Sequence, residues 1–159
     1  MQRSADLPRG NSDRDFMVRA LELAARAESE GEVPVGAVLV KDGRIIAEGW
    51  NRPIAGQDPT AHAEIEAIRA GARALGTYRL SGTSIYVTLE PCAMCAAAMV
   101  HARIDRLVFG AWDPRVGAAG SAFNLVNAPA LNHRLDTFGG VLADECGALL
   151  RRFFERKRE

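Results

Sequence analysis

The sequence predicts a three-layer α/β/α protein, with a central mixed sheet of about five strands covered by helices on both faces. One reason is the order of the chain, in which a hairpin, a helix, a strand, a helix and a strand follow one another. A second reason is the alternation between short β-rich runs and segments whose apolar residues recur at helical spacing. The 159 residues, 48% of them hydrophobic, also suit one domain with a buried core.

The N-terminal region divides at residue 12. Residues 1–11 are polar and contain Pro8 and Gly10, so a disordered tail is expected there. Ser12 then suits the cap of a first helix, because its hydroxyl can accept a hydrogen bond from a free backbone N–H. Residues 12–159 are expected to form a single domain.

A β-hairpin is expected after the first helix. Residues 35–40 and 45–50 are apolar runs, and an Asp-Gly pair lies in the turn between them. Asn51 follows the second run directly. It suits a turn, but its amide can also donate to and accept from the edge of a base, and the sequence leaves both roles open.

The rest of the chain alternates helices and strands. A loop over residues 52–59 leads to a helix that Asp58 or Thr60 can cap, and this helix carries His62 and Glu64 in its opening turns. Strands are expected at 83–89 and 104–110, and a fifth, short strand is expected within 135–142, broken by Gly139 and Gly140. Two further helices begin at about residues 91 and 144.

Two short stretches carry the chemistry of the chain. His62 and Glu64 lie in the first, and Cys92 and Cys95, preceded by Pro91, lie in the second. Cysteines three residues apart share one face of a helix and can hold one ion. The free N–H groups of a first helical turn favour the thiolate form that binds zinc. Glu64 points away from His62 on a regular helix, which favours acid–base work over ligation.

One imidazole and two thiols leave a fourth zinc position open for water, which is the catalytic arrangement. The Cys-x-x-Cys pair alone also fits a redox pair or half of a structural zinc knuckle. A closed structural site needs a fourth ligand, and His101, His133 and Cys146 are available, although none sits at a second paired spacing. Cys146 lies on the apolar face of the last helix, so it is expected to be buried and unreactive.

The overall charge does not favour a nucleic-acid partner, because 20 basic residues balance 20 acidic ones. A cationic patch at the C-terminal end either contacts an RNA backbone or simply suits the end of a helix. Its residues are Arg151, Arg152, Arg156, Lys157 and Arg158. With three cysteines and no secretory or long apolar segment, the protein is expected in the cytoplasm, without a membrane span.

Several polar loop residues are candidates for the rim of a substrate site. Arg115, Asn132, His133 and Arg134 lie in a region without strong periodicity, where polar side chains are also commonly just solvated. Glu90, at the end of the third strand, either supports the metal ligands or is a carboxylate at a strand end. The sequence does not choose between these roles.

His-x-Glu followed by Pro-Cys-x-x-Cys is the signature of the zinc nucleobase deaminases. Longer stretches resemble the bacterial tRNA-specific adenosine deaminases of the cytidine/deoxycytidylate deaminase superfamily. These stretches are residues 49–53, 59–64, 88–95, 117–121, 132–134 and 142–146. The resemblance covers roughly residues 13–158 and implies a cytidine-deaminase-like fold and a homodimer with one zinc ion per subunit.

The resemblance also implies an activity, the hydrolytic conversion of adenosine to inosine at the wobble position of an arginine tRNA anticodon. The zinc ligands would be His62, Cys92 and Cys95. Glu64 would protonate N1 of the adenine and then the leaving amino group, Asn51 would contact the flipped nucleoside, and Asp113 would lie near the substrate strand. The basic C-terminal end would touch the stem of the RNA. The base must leave its stack, which is least costly in a single-stranded loop.

Two other functions compete with this interpretation. A deaminase of guanine, cytosine or a cytidine nucleotide would share the zinc motif, so the motif cannot separate these enzymes. The basic C-terminal end and the flanking stretches favour RNA. A non-enzymatic, zinc-stabilised RNA-binding module would leave Glu64, beside an open three-ligand site, unexplained.

Overall fold

The computed structural model describes residues 6–158, with side chains described for residues 13–158. Its five-stranded mixed sheet is covered by helices on both faces, so the predicted three-layer arrangement is confirmed. The strands are β1 (Gly36–Lys41), β2 (Arg44–Trp50), β3 (Thr83–Leu89), β4 (Arg106–Ala111) and β5 (Asp136–Gly139). The helices are α1 (Asp6–Ser29), α2 (Pro53–Gly56), α3 (Ala63–Leu75), α4 (Ala93–His101) and α5 (Ala143–Arg158).

The sheet places the ends of its central strands at one edge. The strand order is β2-β1-β3-β4-β5. Strand β1 pairs antiparallel with β2 and β3, whereas β3, β4 and β5 run parallel. Leu89 at the end of β3 pairs with Ala111 at the end of β4. The segment that leads from β3 into α4 therefore emerges at the carboxyl edge of the parallel strands, where α/β sheets commonly bind ligands.

Two hydrophobic layers cover the sheet, one on each face. Helices α3 and α4 pack on the face formed by Leu39, Val87 and Phe109. Helices α1 and α5 pack on the opposite face, to which Val38 and Val108 contribute. This division follows the alternation of side chains along each strand.

The hairpin forms as expected, because its turn contains two residues in the left-handed region. Asp42 has φ 52° and Gly43 has φ 76°, as in the two-residue turns that match the twist of paired strands. The register of the pair shifts between Leu39 and Val40, which marks a bulge in β1.

A glycine lets α3 approach the sheet closely at its start. A Cβ atom added to Gly49 in β2 would lie 2.3 Å from the carbonyl oxygen of Ala63, the first residue of α3. Only glycine leaves room for this contact. The first turn of α3 is consequently held directly against β2.

The first helix begins earlier than expected. Helix α1 begins at Asp6 and not after Ser12. Pro8 falls in its first turn, where a backbone N–H has no helical partner in any case. Residues 1–5 of the predicted tail lie outside the described residues.

Two helices begin one or two residues later than expected. His62 is the N-cap of α3, so neither Asp58 nor Thr60 caps that helix. Asp58 instead accepts the backbone N–H of Thr60 at 2.9 Å in the preceding turn. Cys92 is the N-cap of α4, which places Pro91 just before the helix and not at its first position.

One connection also differs from the expectation. The predicted loop over 52–59 contains the short helix α2, whose N-terminal N–H groups at Ile54 and Ala55 donate to the buried carboxylate of Glu32. The fifth strand is short, as predicted: it ends at Gly139, and Gly140 has φ 97°. Within residues 6–158, every helix is too short or too polar to cross a bilayer.

Candidate metal and catalytic site

The structure brings the imidazole and two thiols of the motif into one cluster. The Nδ1 atom of His62 lies 3.6 Å from Sγ of Cys92 and 3.4 Å from Sγ of Cys95. Nitrogen and sulfur ligands of a tetrahedral zinc ion lie about 3.6 Å apart, given the usual zinc–ligand bond lengths. These two distances are compatible with a tetrahedral zinc ion, and all three ligand atoms lie within 4.8 Å of one another.

Two helix N-termini position these ligands. His62 and Cys92 are both N-cap residues in extended backbone conformations, and Cys95 lies in the first turn of α4. The carbonyl of His62 accepts the N–H of Glu66 at 3.0 Å, which fixes the start of α3. Free N–H groups at both helix starts create positive potential around the cluster, and this favours thiolates.

The two thiols differ in their protonation. The hydrogen bond from Cys95, with help from His62, lowers the pKa of the Cys92 thiol to about 4. The same hydrogen bond, together with burial, raises the pKa of Cys95 far above its usual range. Hydrogen bonding to Cys92 raises the pKa of His62. One thiolate is therefore already present before any metal binds.

Glu64 lies beside the cluster and is 4% exposed. Burial raises the pKa of its carboxyl group to about 7. A carboxyl group with a pKa near neutrality can both take up and release a proton under physiological conditions. The geometry thus matches the acid–base role expected for Glu64.

Within the described part of the chain, His62, Cys92 and Cys95 form one three-residue group that could hold a metal. None of the candidate fourth ligands joins it. His101 is the last residue of α4, and His133 bonds to the carbonyl of Ile104 at 2.7 Å. Cys146 packs in the layer between the sheet and helices α1 and α5. The cluster keeps the open position that a catalytic zinc site requires.

Asn51 connects the end of β2 to the start of α3. Its side-chain oxygen accepts the N–H of Ala63 at 2.8 Å, and its side chain is buried. The sequence did not indicate this hydrogen bond to Ala63. The two roles considered for Asn51 were a turn residue and a contact with the edge of a base. With its oxygen bound in this way, the amide N–H groups are left as donors.

Three residues expected at the substrate rim lie, within one subunit, past the end of α4 that is far from Cys92. Asn132 accepts a hydrogen bond from Arg103 at 3.0 Å. His133 bonds to Ile104, and Arg134 is exposed next to it. Arg103 and Ile104 follow the C-terminal end of α4, so a helix of nine residues separates these groups from Cys92.

A groove of about 420 Å³ leads from the end of β3 toward α5. Asp113 and Arg115, two of the expected substrate residues, lie on one of its walls. Its other lining residues are Val33, Leu89, Trp112, Val116, Leu150 and Phe154. No sequence pattern indicates this groove, because its walls come from segments that are far apart along the chain.

The cationic residues of the C-terminal end occupy the last turns of α5. Arg151, Arg152, Lys157 and Arg158 are exposed, as expected for a surface patch. Arg156 is also exposed, but it forms an ion pair with Glu28 of α1. Phe153 and Leu150 anchor this part of α5 to the rest of the molecule.

The role of Glu90 was left open by the sequence. Its side chain is buried at the end of β3. Although burial disfavours its charge, the hydrogen bonds from Ser121, Asp113 and Ala119 hold the pKa of this carboxyl group below its usual range. Its partners lie in the segment that follows β4, which no sequence pattern indicated.

Residues 10–111 match the family model for the cytidine and deoxycytidylate deaminase zinc-binding region. The tRNA-specific adenosine deaminase of Haemophilus influenzae is 55% identical over 152 residues, which cover 95% of this chain and 88% of that protein. The tRNA-specific adenosine deaminase of Bacillus subtilis is 46% identical, over 92% of this chain and 91% of that protein.

Solved structures are similar over most of the chain. One, from studies of A-to-I editing by tRNA:A34 deaminases at the wobble position of transfer RNA, has a TM-score of 0.83 and 48% identity. The match covers 86% of this chain and 99% of that one. The guanine deaminase from Nitrosomonas europaea has a TM-score of 0.74 and 28% identity, over 88% of this chain and 83% of that one.

Proposed function

This chain belongs to the cytidine and deoxycytidylate deaminase family, and we propose that it converts adenosine to inosine at the wobble position of a tRNA. The observation that carries the deaminase chemistry is the buried Glu64 beside the His62–Cys92–Cys95 cluster. The choice of adenosine in a tRNA rests on the similarity to the relatives and the solved structure reported above. The relatives of highest identity reported above share this activity by name. An arginine tRNA is the proposed substrate, on the strength of the resemblance of the flanking stretches.

The proposed metal is one zinc ion per subunit, held by His62, Cys92 and Cys95. Two thiols and one imidazole favour zinc over magnesium or calcium, which prefer oxygen ligands. When bound, zinc lowers the pKa of a water molecule toward neutrality and makes it a nucleophile. The distances within the cluster support this assignment.

Glu64 is the proposed proton shuttle. It takes one proton from the nucleophilic water and passes it to N1 of the adenine as the water oxygen bonds to C6. It then transfers the remaining proton of that oxygen to the exocyclic amine, so that the C6–N bond breaks, ammonia leaves and C6 becomes the carbonyl carbon of inosine. Its burial excludes bulk water from these transfers.

Asn51 and the groove are proposed to position the RNA. The amide N–H groups of Asn51 are available to an acceptor on the target base, since its oxygen is bound to Ala63. Trp112 and Phe154 are exposed and line the groove with Arg115. Aromatic faces beside cations suit single-stranded nucleotides, because bases stack and phosphates pair with charge.

The exposed cations of α5 are proposed to contact the RNA backbone, since the groove ends at this helix. A homodimer is proposed from the family resemblance. The outward side of α4 carries Ala93, Ala97 and Ala98, small residues that permit close packing with a neighbour. Asn132, His133 and Arg134 can act at the substrate rim only if a second subunit brings them there. We propose a cytoplasmic location because the tRNA substrate is there.

A free purine base is the second candidate substrate, because the structure of a guanine deaminase is also similar. A free base does not need the exposed cations of α5 or an open groove beside the metal site. The two candidates therefore predict different substrates for the same cluster.

A deamination assay on the purified, zinc-loaded protein separates these candidates. One reaction contains an arginine tRNA anticodon stem-loop with adenosine at the wobble position. Matched reactions contain the same stem-loop with guanosine there, or free adenosine, cytosine, cytidine or guanine. We expect inosine only in the first reaction. Turnover of a free base or nucleoside, with the stem-loop unchanged, would overturn the tRNA proposal and leave the small-molecule deaminase.

A further inference from the structure

Glu90 lies between the end of β3 and the turn that carries Cys92. Its side chain is 2% exposed. Its backbone N–H donates to the carbonyl of Ala111 at 2.8 Å, which joins the ends of β3 and β4. A carboxylate at this depth requires strong hydrogen-bond donors, because a buried charge without partners is very costly.

All the side-chain partners of Glu90 come from one segment, residues 112–121, called here the substrate loop. Oε1 accepts the backbone N–H of Asp113 at 2.9 Å and the hydroxyl of Ser121. Oε2 accepts the backbone N–H groups of Ala119 and Ser121, both at 3.0 Å. The loop therefore closes around the carboxylate from both sides.

Two further contacts join the substrate loop to the metal-binding turn. The N–H of Ala118 donates to the carbonyl of Pro91 at 2.7 Å. A Cβ atom added to Gly117 would lie 2.4 Å from Cδ of Glu90, so only glycine fits between the loop and the carboxylate. The loop thus contacts both Glu90 and the residue just before Cys92.

The substrate loop also forms a wall of the groove that runs from the end of β3 toward α5. Trp112, Asp113, Arg115 and Val116 line that wall. None of them belongs to the metal cluster. Because the loop is held through Glu90, the position of the groove wall relative to Cys92 depends on this carboxylate.

We propose that Glu90 is a positioning residue, which sets the substrate loop against the metal-binding turn and so holds the groove wall in the position that binds the RNA. The identity of the substrate in this inference rests on the proposed function. The role of Glu90 in holding the loop does not. Glu90 is not one of the metal ligands. Its carboxylate contacts the substrate loop, and it acts through that loop.

A glutamine cannot replace Glu90, although it has the same shape. Each oxygen of the carboxylate accepts two hydrogen bonds from the loop. In glutamine an NH2 group replaces one of the two oxygens. This group cannot accept the two hydrogen bonds that the loop donates there, so the loop would lose those two bonds. Glu90→Gln therefore tests the role of the carboxylate without leaving a cavity.

The experiment compares Glu90→Gln with wild type in three measurements: zinc content, hydrogen exchange of the loop amides, and steady-state kinetics on the anticodon stem-loop. We expect wild-type zinc content and faster exchange at Asp113, Ala119 and Ser121. We expect KM to rise about tenfold, as for the loss of a charge-assisted hydrogen bond, with kcat changed by less than about threefold.

Two other variants keep the test decisive. Ser121→Ala removes only the hydroxyl donor. Introduced into wild type, it should raise KM less than Glu90→Gln does. Introduced into Glu90→Gln, it should not raise KM beyond the value for Glu90→Gln alone. Thr88→Val is the control for stability, because Thr88 is also buried and accepts the N–H of Gly36 at 3.2 Å without touching the loop. It should lower the melting temperature and leave loop exchange and KM unchanged.

The outcomes separate this inference from the proposed function. Loss of zinc with unchanged loop exchange would make Glu90 a support of the metal ligands and overturn the inference. A fall in kcat at constant KM would overturn it as well. If wild type does not deaminate the stem-loop, the proposed function fails, while loop exchange in Glu90→Gln and Ser121→Ala still decides the role of Glu90.

Discussion

The side-chain oxygen of Asn51 accepts the backbone N–H of Ala63 at 2.8 Å. Ala63 stands between His62 and Glu64, so this one hydrogen bond joins the end of β2 to the segment that carries a metal ligand and the proton shuttle. The same amide group is proposed to donate to the target base. Asn51 thus has a structural role and a recognition role that substitutions can separate.

Asn51→Ala should impair both roles of the side chain. It leaves the N–H of Ala63 without its acceptor, and the free energy of unfolding should fall by about 1–3 kcal/mol. Asn51→Asp retains an acceptor and should lose less stability, yet it should still deaminate poorly, because it has lost the amide donors. Chemical denaturation and the stem-loop assay measure the two effects. Wild-type activity in Asn51→Asp would show that the amide does not contact the base.

Glu64→Gln should retain zinc and fold but lose turnover. Removal of a general acid–base group typically costs about 10²–10⁴-fold in rate. Because the replacement is nearly isosteric in a buried position, the melting temperature should change little. Metal analysis and single-turnover kinetics provide the check. Substantial remaining turnover in a zinc-loaded variant would remove Glu64 from the proton-transfer role.

Cys92→Ala should abolish tight zinc binding, since two ligands cannot form a catalytic site of this type. Cys146→Ala is the matched control, because Cys146 is a buried thiol outside the cluster. Zinc content after dialysis against a weak chelator should be near zero for the first variant and at the wild-type level for the second. Unchanged zinc in Cys92→Ala would exclude Cys92 from the ligand set.

The cations of α5 should contribute a salt-dependent part of RNA binding. Truncation of α5 is a poor test, because it would remove the buried Phe153. Replacement of Arg152, Lys157 and Arg158 by glutamine keeps the helix and leaves the ion pair of Arg156 intact. The slope of log K against log salt should become shallower by about two for three lost phosphate contacts.

A charge-matched control for this experiment replaces three exposed arginines outside α5, at positions 14, 44 and 73. The control should leave the salt slope close to that of wild type, because a general change in net charge acts weakly at a distance in salt. Equal slopes for the α5 variant and wild type would mean that this end of the helix does not contact the RNA.

Cys146 should make the protein less stable at alkaline pH. Burial raises the pKa of its thiol to about 12, from about 9 in an exposed position. The folded protein retains the proton while the unfolded chain loses it, so stability is highest below pH 9 and falls as the pH rises toward 12. Urea unfolding between pH 8 and 10.5 should show a weaker decline in Cys146→Ala than in wild type. Parallel declines would contradict this.

Several features could be predicted from local sequence alone. The Asp-Gly pair indicated the hairpin, because only a few residue types adopt the positive φ angles that this turn needs. The spacing of Cys92 and Cys95 indicated a shared ligand position, since residues three apart lie on one face of a first turn. The apolar periodicity indicated which faces meet in the core. Each of these depends on residues within a few positions of one another.

The tertiary structure decided how distant segments meet. Glu90 binds Ser121, which lies 31 residues away, and no local pattern indicates that pairing. Asn132 and His133 share a polar stretch that resembles a substrate rim, yet the fold places them past the far end of α4. Backbone spacing determines which side chains of one element share a face. Which elements then enclose a buried carboxylate, or form a groove, depends on the packing of the whole chain, because a buried charge must find its partners wherever the fold brings them.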